Sequence, residues 1–147
     1  MTALNIQVAV DCRRAHVLAD WWAETLGWVV EPSDPVFIRS MIDQGFATEA
    51  DTETHRGGLV WRGAAAITPG DQLGSPERLR VLFQEVPEDK VAKNRIHLDV
   101  RGAPGSDPEA TRASLEERGA TFLWAGQQGP HRWITMTDPE GNEFCVS

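Results

Sequence analysis

A chain of 147 residues, of which 41% are hydrophobic, is long enough for one domain with a buried core. Its 14 basic and 22 acidic residues give a formal net charge of -8, and no block of Lys or Arg interrupts this acidic balance. These numbers exclude nucleic acid and an anionic membrane as expected partners, and the net charge suits a cationic or aromatic small molecule.

The two cysteines, Cys12 and Cys145, lie at opposite ends of the sequence without a CxxC pattern. We therefore expect free thiols in a reducing compartment and no disulfide framework. Residues 1–6 contain neither the basic nor the apolar segment of a leader peptide, and no apolar run reaches membrane-spanning length. The expectation is a cytoplasmic protein.

The first half of the chain alternates between strand and helix patterns. Apolar residues recur at helical spacing from about Arg13 to Leu26, and Gly27 follows where a glycine commonly ends a helix. Asp34 and Pro35 are a typical N-cap and first helical residue. In chain order, the predicted elements are a strand at 6–11, a helix at 13–26, a strand at 28–31, a helix at 35–42, an acidic loop at 48–55, one strand at 59–67 interrupted by a glycine, and a strand at 79–86.

The second half shows the same kinds of signal. Asp107 and Pro108 predict the start of a helix, and Gly119 predicts its end. In chain order, the predicted elements are a charged connector at 87–94, a strand at 95–100, a helix at 108–118, and strands at 121–124, 132–137 and 143–146.

The two halves align as an internal repeat in which a strand and a helix are followed by further strands. The alignment makes Gln7 equivalent to His97, and Gln84 equivalent to Cys145. Two βαβββ units of this kind would bring the four positions together across a pseudo-two-fold axis. The first half carries extra residues, mostly at 33–58, which we interpret as a lid or rim because long insertions in compact domains are usually functional or mobile.

The predicted strand at 95–100 places His97 and Asp99 two residues apart, so both side chains point to one face of the sheet. A histidine on a strand is more often a hydrogen-bonded cavity residue than a ligand. Asp99 could orient the imidazole or act as a base, and it could equally pair with Arg95 or Arg101.

Three stretches carry a resemblance to a known family: Gln7 with the helix that follows it, residues 81–99, and residues 138–146. Through them the chain resembles the glyoxalase/bleomycin-resistance/extradiol-dioxygenase superfamily, also called vicinal oxygen chelate proteins, and within it a glyoxalase-like group. The resemblance implies an α+β fold of two βαβββ modules in pseudo-two-fold repeat, with a curved mixed sheet around one cavity and commonly a homodimer. We expect one domain over 1–147, with module one at about 5–86, an insertion at about 33–58, a linker at 87–94 and module two at about 95–147.

The resemblance also implies a divalent metal held by one residue from each of four strands. Gln7, Gln84 and His97 fall at three of these positions, and Cys145 stands where a glutamate normally completes the site. Three neutral side chains and a thiol are a poor ligand set for a hard dication, so we expect no resident metal. Zinc is the most compatible ion if these four residues do bind one, because zinc accepts imidazole and thiolate together.

Further candidates would line a ligand pocket. Trp61 and Trp133 lie on predicted strands and could form an aromatic wall for a planar or apolar ligand. Glu143 shares a strand face with Cys145, and each has both a functional and a structural interpretation; for Cys145 the simplest is a small buried hydrophobe. We also place Gln7 and Gln84 among the ligand-binding candidates.

The expected function is lyase- or isomerase-type chemistry next to a carbonyl, in a cavity around His97 with Asp99 as its partner. The alternative is a metal-independent protein that binds and sequesters an antibiotic-like small molecule, so the sequence leaves open whether the chain is an enzyme. Glyoxalase I activity itself is not expected, because Cys145 replaces the family's glutamate. An extradiol dioxygenase would need two histidines and a carboxylate on iron(II), and this set is missing at the equivalent positions.

Overall fold

The structure, a computed structural model, describes residues 4–147. Residues 1–3, on which part of the leader-peptide expectation rests, lie outside the described residues. The chain divides into two units, which we call module one, ending at Pro87, and module two, Glu88–Ser147. The boundary falls at the start of the connector predicted at 87–94.

Module one is built on a four-stranded mixed sheet. Its helices and strands are β1 (Val8–Cys12), α1 (Ala15–Leu26), β2 (Val29–Val30), α2 (Pro35–Asp43), β3 (Thr52–His55), β4 (Gly58–Trp61), β5 (Ala64–Thr68) and β6 (Val81–Glu85). The strand order is β1-β6-β5-β2, in which β1 runs parallel to β6 and the other neighbours are antiparallel.

Helix α1 packs against β5 and β6 and supplies much of the core of module one. Its Leu18, Trp21 and Trp22 are buried, and the two indole rings meet edge to face at 5.1 Å. Gly27 ends the helix at a φ of 64°, a left-handed conformation in which glycine avoids the strain of a Cβ atom. The predicted helix and its end are confirmed.

Between β2 and β5, module one contains α2 and a separate hairpin of β3 and β4. Asp34 caps α2 by accepting hydrogen bonds from the backbone N–H groups of Val36 and Phe37 at 2.9 and 3.1 Å. The single strand predicted at 59–67 is wrong, because β4 pairs with β3 whereas β5 joins the main sheet. Gly63, at a φ of 80°, lies in the turn between β4 and β5. The loop predicted at 48–55 is also wrong, because a 3₁₀ turn there leads into β3.

Module two repeats the architecture without an insertion. Its elements are β7 (Leu98–Val100), α3 (Pro108–Glu117), β8 (Thr121–Gln128), β9 (His131–Thr137) and β10 (Glu143–Val146). The order is β7-β10-β9-β8, with β7 parallel to β10 and the other neighbours antiparallel. Strand β8 is longer than the predicted strand at 121–124, because it continues into a hairpin with β9.

Each module therefore contains a strand, a helix and three further strands of one mixed sheet. This order confirms the predicted α+β class and the repeat of two βαβββ modules. The parallel strand pair of each module buries large side chains on one face, Phe83 in module one and Phe144 in module two. Among residues 4–147, no helix combines the length and apolar character that crossing a membrane requires.

Candidate functional site

The candidate site lies on the face of the module-two sheet that points away from α3. Phe144 and Val146 of β10 are buried in the core, and α3 packs against β8, β9 and β10. Because side chains alternate along a strand, Glu143 and Cys145 lie on the opposite face. A cleft of about 920 Å³ opens there, bordered by the four strands and by the loop at 101–106.

Three polar residues form a row across neighbouring strands at the floor of this cleft. Asp99 of β7 pairs in register with Cys145 of β10, which pairs with Thr135 of β9. The Cys145 Sγ and Thr135 Oγ1 atoms are 3.4 Å apart, and either can donate the hydrogen bond. Cys145 is half-buried, so it borders the cleft instead of being enclosed in the core. We call these three residues the polar row.

His97 immediately precedes β7 and contacts one end of the polar row. Its Nδ1 lies 3.2 Å from Oδ1 of Asp99, so the two side chains share a face, as their spacing predicts. An ionised carboxylate only accepts hydrogen bonds, so a hydrogen on Nδ1 would face Asp99 and leave Nε2 as the basic nitrogen. The side chains are 39% and 56% exposed, which leaves both within reach of a small molecule.

Glu143 borders the same cleft but is held by module-two neighbours. Its Oε1 accepts a hydrogen bond from Lys90 at 2.8 Å, and its Oε2 accepts one from the backbone N–H of Asn94 at 2.9 Å. Burial raises the pKa of Glu143, and these hydrogen bonds lower it by more, so the pKa lies below its ordinary value. The contacts give Glu143 a clear structural role, since it fastens the chain leading into β7 to β10.

Two tryptophans supply apolar walls. Trp133, a predicted lining residue, borders the cleft together with Trp124, which the sequence reasoning did not select. The Trp133 indole lies over Gly126, its register partner on β8, and a methyl group at Gly126 would come within 2.4 Å of the ring. The absence of a side chain at Gly126 thus lets the indole lie against the strand.

The sequence reasoning also missed the basic residues of the cleft. Lys93, Arg101, His131 and Arg132 all border it. Arg101 continues the alternation of His97 and Asp99, so that pattern could have identified it. His131 and Arg132 reach the cleft only because β8 and β9 pair at the end of their hairpin, and no local sequence signal specifies that pairing.

The remaining candidates, Gln7, Gln84 and Trp61, lie in module one. Gln7 and Gln84 are exposed, and the register of β1 and β6 places Gln84 opposite Asp11. Trp61 is half-buried on β4, and its backbone carbonyl accepts a hydrogen bond from Nε2 of His16 at 2.8 Å. The ligand-binding roles of these three residues stay predictions.

The register also corrects the repeat alignment. In module two, the position two residues after His97 pairs with Cys145. In module one, the position two residues after Gln7 pairs with Leu82. The predicted equivalences of Gln7 with His97 and of Gln84 with Cys145 therefore cannot both hold.

Metal binding can be judged from the donor atoms present. Among residues 4–147, the only three or more His, Cys, Asp or Glu donors close enough to share an ion are His97, Asp99 and Cys145, which lie within 4.8 Å of one another. Imidazole, carboxylate and thiolate are all ligands that zinc accepts. The four positions implied by the resemblance offer three neutral side chains and a thiol, a poor donor set for a hard dication.

A family model described as a glyoxalase-like domain matches residues 7–147. The chain belongs to the glyoxalase-like domain family. It is accordingly a glyoxalase-type protein that binds or modifies a small molecule, and the predicted superfamily is confirmed. A comparison with curated proteins found no significant sequence match.

Solved structures with the same fold as this glyoxalase-like protein include three whose ligands or activities are described. The bleomycin-binding protein of Streptomyces verticillus, complexed with copper(II)-bleomycin, is 15% identical with a TM-score of 0.52, covering 100% of this chain and 97% of its own. The fosfomycin resistance protein FosX of Mesorhizobium loti is 10% identical with a TM-score of 0.61, covering 99% and 91%. A FosX mutant of Listeria monocytogenes, complexed with manganese(II) and a dihydroxypropylphosphonic acid, is 9% identical with a TM-score of 0.62, covering 99% and 92%. At these identities the likeness shows the fold alone.

Proposed function

We propose that this glyoxalase-like protein binds a small carbonyl compound in the cleft of module two and transfers a proton at the carbon next to the carbonyl. The observation that carries the proposal is the contact of 3.2 Å between Nδ1 of His97 and Oδ1 of Asp99 at the floor of the cleft. A base of this kind must reach the proton that it removes, and the exposure of His97 permits such an approach.

The two residues have different tasks in this reaction. The Asp99 carboxylate, 3.2 Å from Nδ1, favours the tautomer in which Nδ1 carries the hydrogen and Nε2 acts as the base. Nε2 of His97 then accepts the proton from the substrate carbon, and the electron pair of the C–H bond moves onto the carbonyl as an enolate. Asp99 stabilises the imidazolium that forms, and return of the proton to the same or a neighbouring atom completes an isomerisation.

The proposed reaction needs no metal ion. A zinc ion bound by His97, Asp99 and Cys145 would occupy the imidazole and the carboxylate that the proton transfer uses. It would supply Lewis-acid polarisation of a carbonyl instead. Metal analysis of the purified protein therefore tests the proposal independently of any substrate.

A direct test uses deuterium exchange at the carbon next to the carbonyl of a small panel of enolisable carbonyl compounds, followed by proton NMR in D₂O. We expect exchange above the buffer rate, and a loss of about a hundredfold or more in His97→Ala, which is typical for removal of a general base. The matched control is Arg95→Gln, an exposed neighbour that does not border the cleft. Exchange that is the same in His97→Ala and in the natural protein would refute the proposed role.

A second candidate is binding without turnover, in the manner that the bleomycin-binding relative's name describes for that protein. The observation that favours it is the pair of indole walls, Trp124 and Trp133, beside an open cleft. Ligand binding measured by calorimetry without any enhancement of deuterium exchange would support this candidate over the first.

A further inference from the structure

We propose that the cleft of module two recognises an anionic group, so that its ligand is a carbonyl compound carrying a carboxylate or a phosphate. The carbonyl part of this inference rests on the proposed function. The charge recognition rests on a different set of residues, namely Lys93, Arg101 and Arg132, and can fail or succeed separately.

The first argument is the absence of ionic partners for these three cations. Within residues 4–147, none of them lies within 4.0 Å of a carboxylate oxygen, and the Lys93 ammonium donates only to the backbone carbonyl of Asn94 at 3.3 Å. Many other basic side chains of the protein do have carboxylate partners, namely Arg39, Arg56, Arg62, Arg78, Arg80, Lys90 and Arg112. The cleft thus gathers cations whose charge the protein leaves uncompensated.

The second argument is the local sign of the charge. Two carboxylates border the cleft, and one of them, Glu143, is already balanced by Lys90 at 2.8 Å. The other, Asp99, borders the cleft together with three Lys or Arg side chains. The whole chain carries a formal charge of -8, so a positive cleft is a local departure from the overall composition. Such a departure attracts anions to one site while the rest of the surface repels them.

The third argument is the position of the cations relative to the proposed base. Arg101 follows Asp99 by two residues, which corresponds to roughly 7 Å along an extended chain. A guanidinium there can bind a carboxylate or phosphate with two parallel hydrogen bonds while the carbon next to the carbonyl lies at His97. Trp124, 46% exposed, and Trp133 offer apolar surface for the remainder of the molecule.

The test compares two probes that differ in charge. Phenylpyruvate has a phenyl ring, an enolisable carbonyl and a carboxylate, whereas phenylacetone replaces the carboxylate by a methyl group. Inorganic phosphate is a third probe, which distinguishes phosphate recognition from carboxylate recognition. Binding of each is measured by calorimetry at low and at physiological salt, using the full-length protein and the variants Arg101→Gln and Arg132→Gln. Arg39→Gln, an exposed arginine of module one paired with Glu49, is the matched charge control.

We expect phenylpyruvate or phosphate to bind, phenylacetone to bind more weakly, and the anion affinity to fall about tenfold in Arg101→Gln but not in Arg39→Gln. Added salt should weaken anion binding, because it screens exposed charges. Equal binding of the anionic and neutral probes, unchanged affinity in both cleft variants, or no binding of either anion would overturn the inference. None of these results bears on the proposed proton transfer. That proposal is tested separately by the effect of His97→Ala on deuterium exchange.

Discussion

Modules one and two share one connectivity but carry opposite chemistry at equivalent places. In module two the row across the exposed sheet face is Asp99, Cys145 and Thr135. In module one, the row that begins two residues after Gln7 is Ala9, Leu82 and Ala66. The same strand arrangement thus carries an apolar row in one module and a polar row in the other, so it does not itself require the polar residues of module two.

The same contrast holds for the position that precedes each row. His97 lies 3.2 Å from Asp99 at the end of its row and is 39% exposed. Gln7 instead accepts a hydrogen bond from Arg80, which in turn binds Glu31. Module one thus uses Gln7 in a hydrogen-bond network within the module, whereas module two leaves the imidazole of His97 accessible from the cleft.

The largest effect that would test this contrast is expected for Asp99→Ala, which gives module two the residue found at the same place in module one. We expect proton transfer by His97 to fall about a hundredfold, because the imidazole loses the group that fixes its tautomer. The free energy of unfolding should change by less than about 0.5 kcal/mol, as is usual for an exposed residue. Deuterium exchange and urea denaturation measure the two quantities. A large loss of stability with normal exchange would show that Asp99 is structural.

A second test compares a buried histidine with the exposed one. His16 of module one is 7% exposed, donates a hydrogen bond from Nε2 to the Trp61 carbonyl at 2.8 Å, and stacks on His55 at 5.1 Å. We expect His16→Ala to cost about 2 kcal/mol of stability, because it leaves a cavity and an unpaired carbonyl where the hairpin of β3 and β4 meets α1. The matched variant His97→Ala should cost less than about 0.5 kcal/mol. Equal losses of stability in the two variants, measured by urea denaturation, would contradict a structural role for His16 and a role outside folding for His97.

A third test concerns the acid stability of each module. Burial raises the pKa of Glu31, and hydrogen bonds from Arg78 and Arg80 lower it by more, so the pKa lies below 4.5; Glu143 is lowered in the same way in module two. A lowered folded pKa contributes stability above the unfolded value and loses it as the pH falls through the folded value. Glu31→Gln should therefore cost about 1–2 kcal/mol at neutral pH and flatten the loss of stability below about pH 4.5.

The measurement for this third test is urea denaturation between neutral and acid pH. Glu143→Gln should shift stability in the same direction through its bonds to Lys90 and Asn94. Unchanged acid sensitivity in both variants would show that other carboxylates dominate acid unfolding.

Local sequence signals were sufficient for the helices of both modules. Asp34 with Pro35, and Asp107 with Pro108, combine a side chain that caps backbone N–H groups with a residue that begins a helix, and both predicted starts are confirmed. The alternation of His97 and Asp99 correctly indicated a shared face. These predictions depend only on residues close together in the chain.

The errors arose where distant residues decide the structure. Moving a strand by two residues leaves every side chain on its original face, so the sequence could not show whether Leu82 or Gln84 lies beside Ala9. The apolar run at 59–67 similarly does not show that its two parts pair with different strands. Arg132 was missed for the same reason, because its place at the cleft depends on the pairing of β8 with β9.

The smallest expected effect is on the metal content of the protein. It compares the natural polar row with a variant in which one donor of that row is changed. We expect protein purified without an affinity tag to contain no stoichiometric manganese, since a thiol beside a single carboxylate and an imidazole is a poor site for a hard dication. Cys145→Glu adds a second carboxylate next to Asp99 and His97 and should bind manganese that the natural chain does not hold. Metal analysis by mass spectrometry measures both proteins. Stoichiometric zinc in the natural protein that disappears in His97→Ala would contradict a metal-independent cleft, because the imidazole would then be a ligand and could not serve as the base.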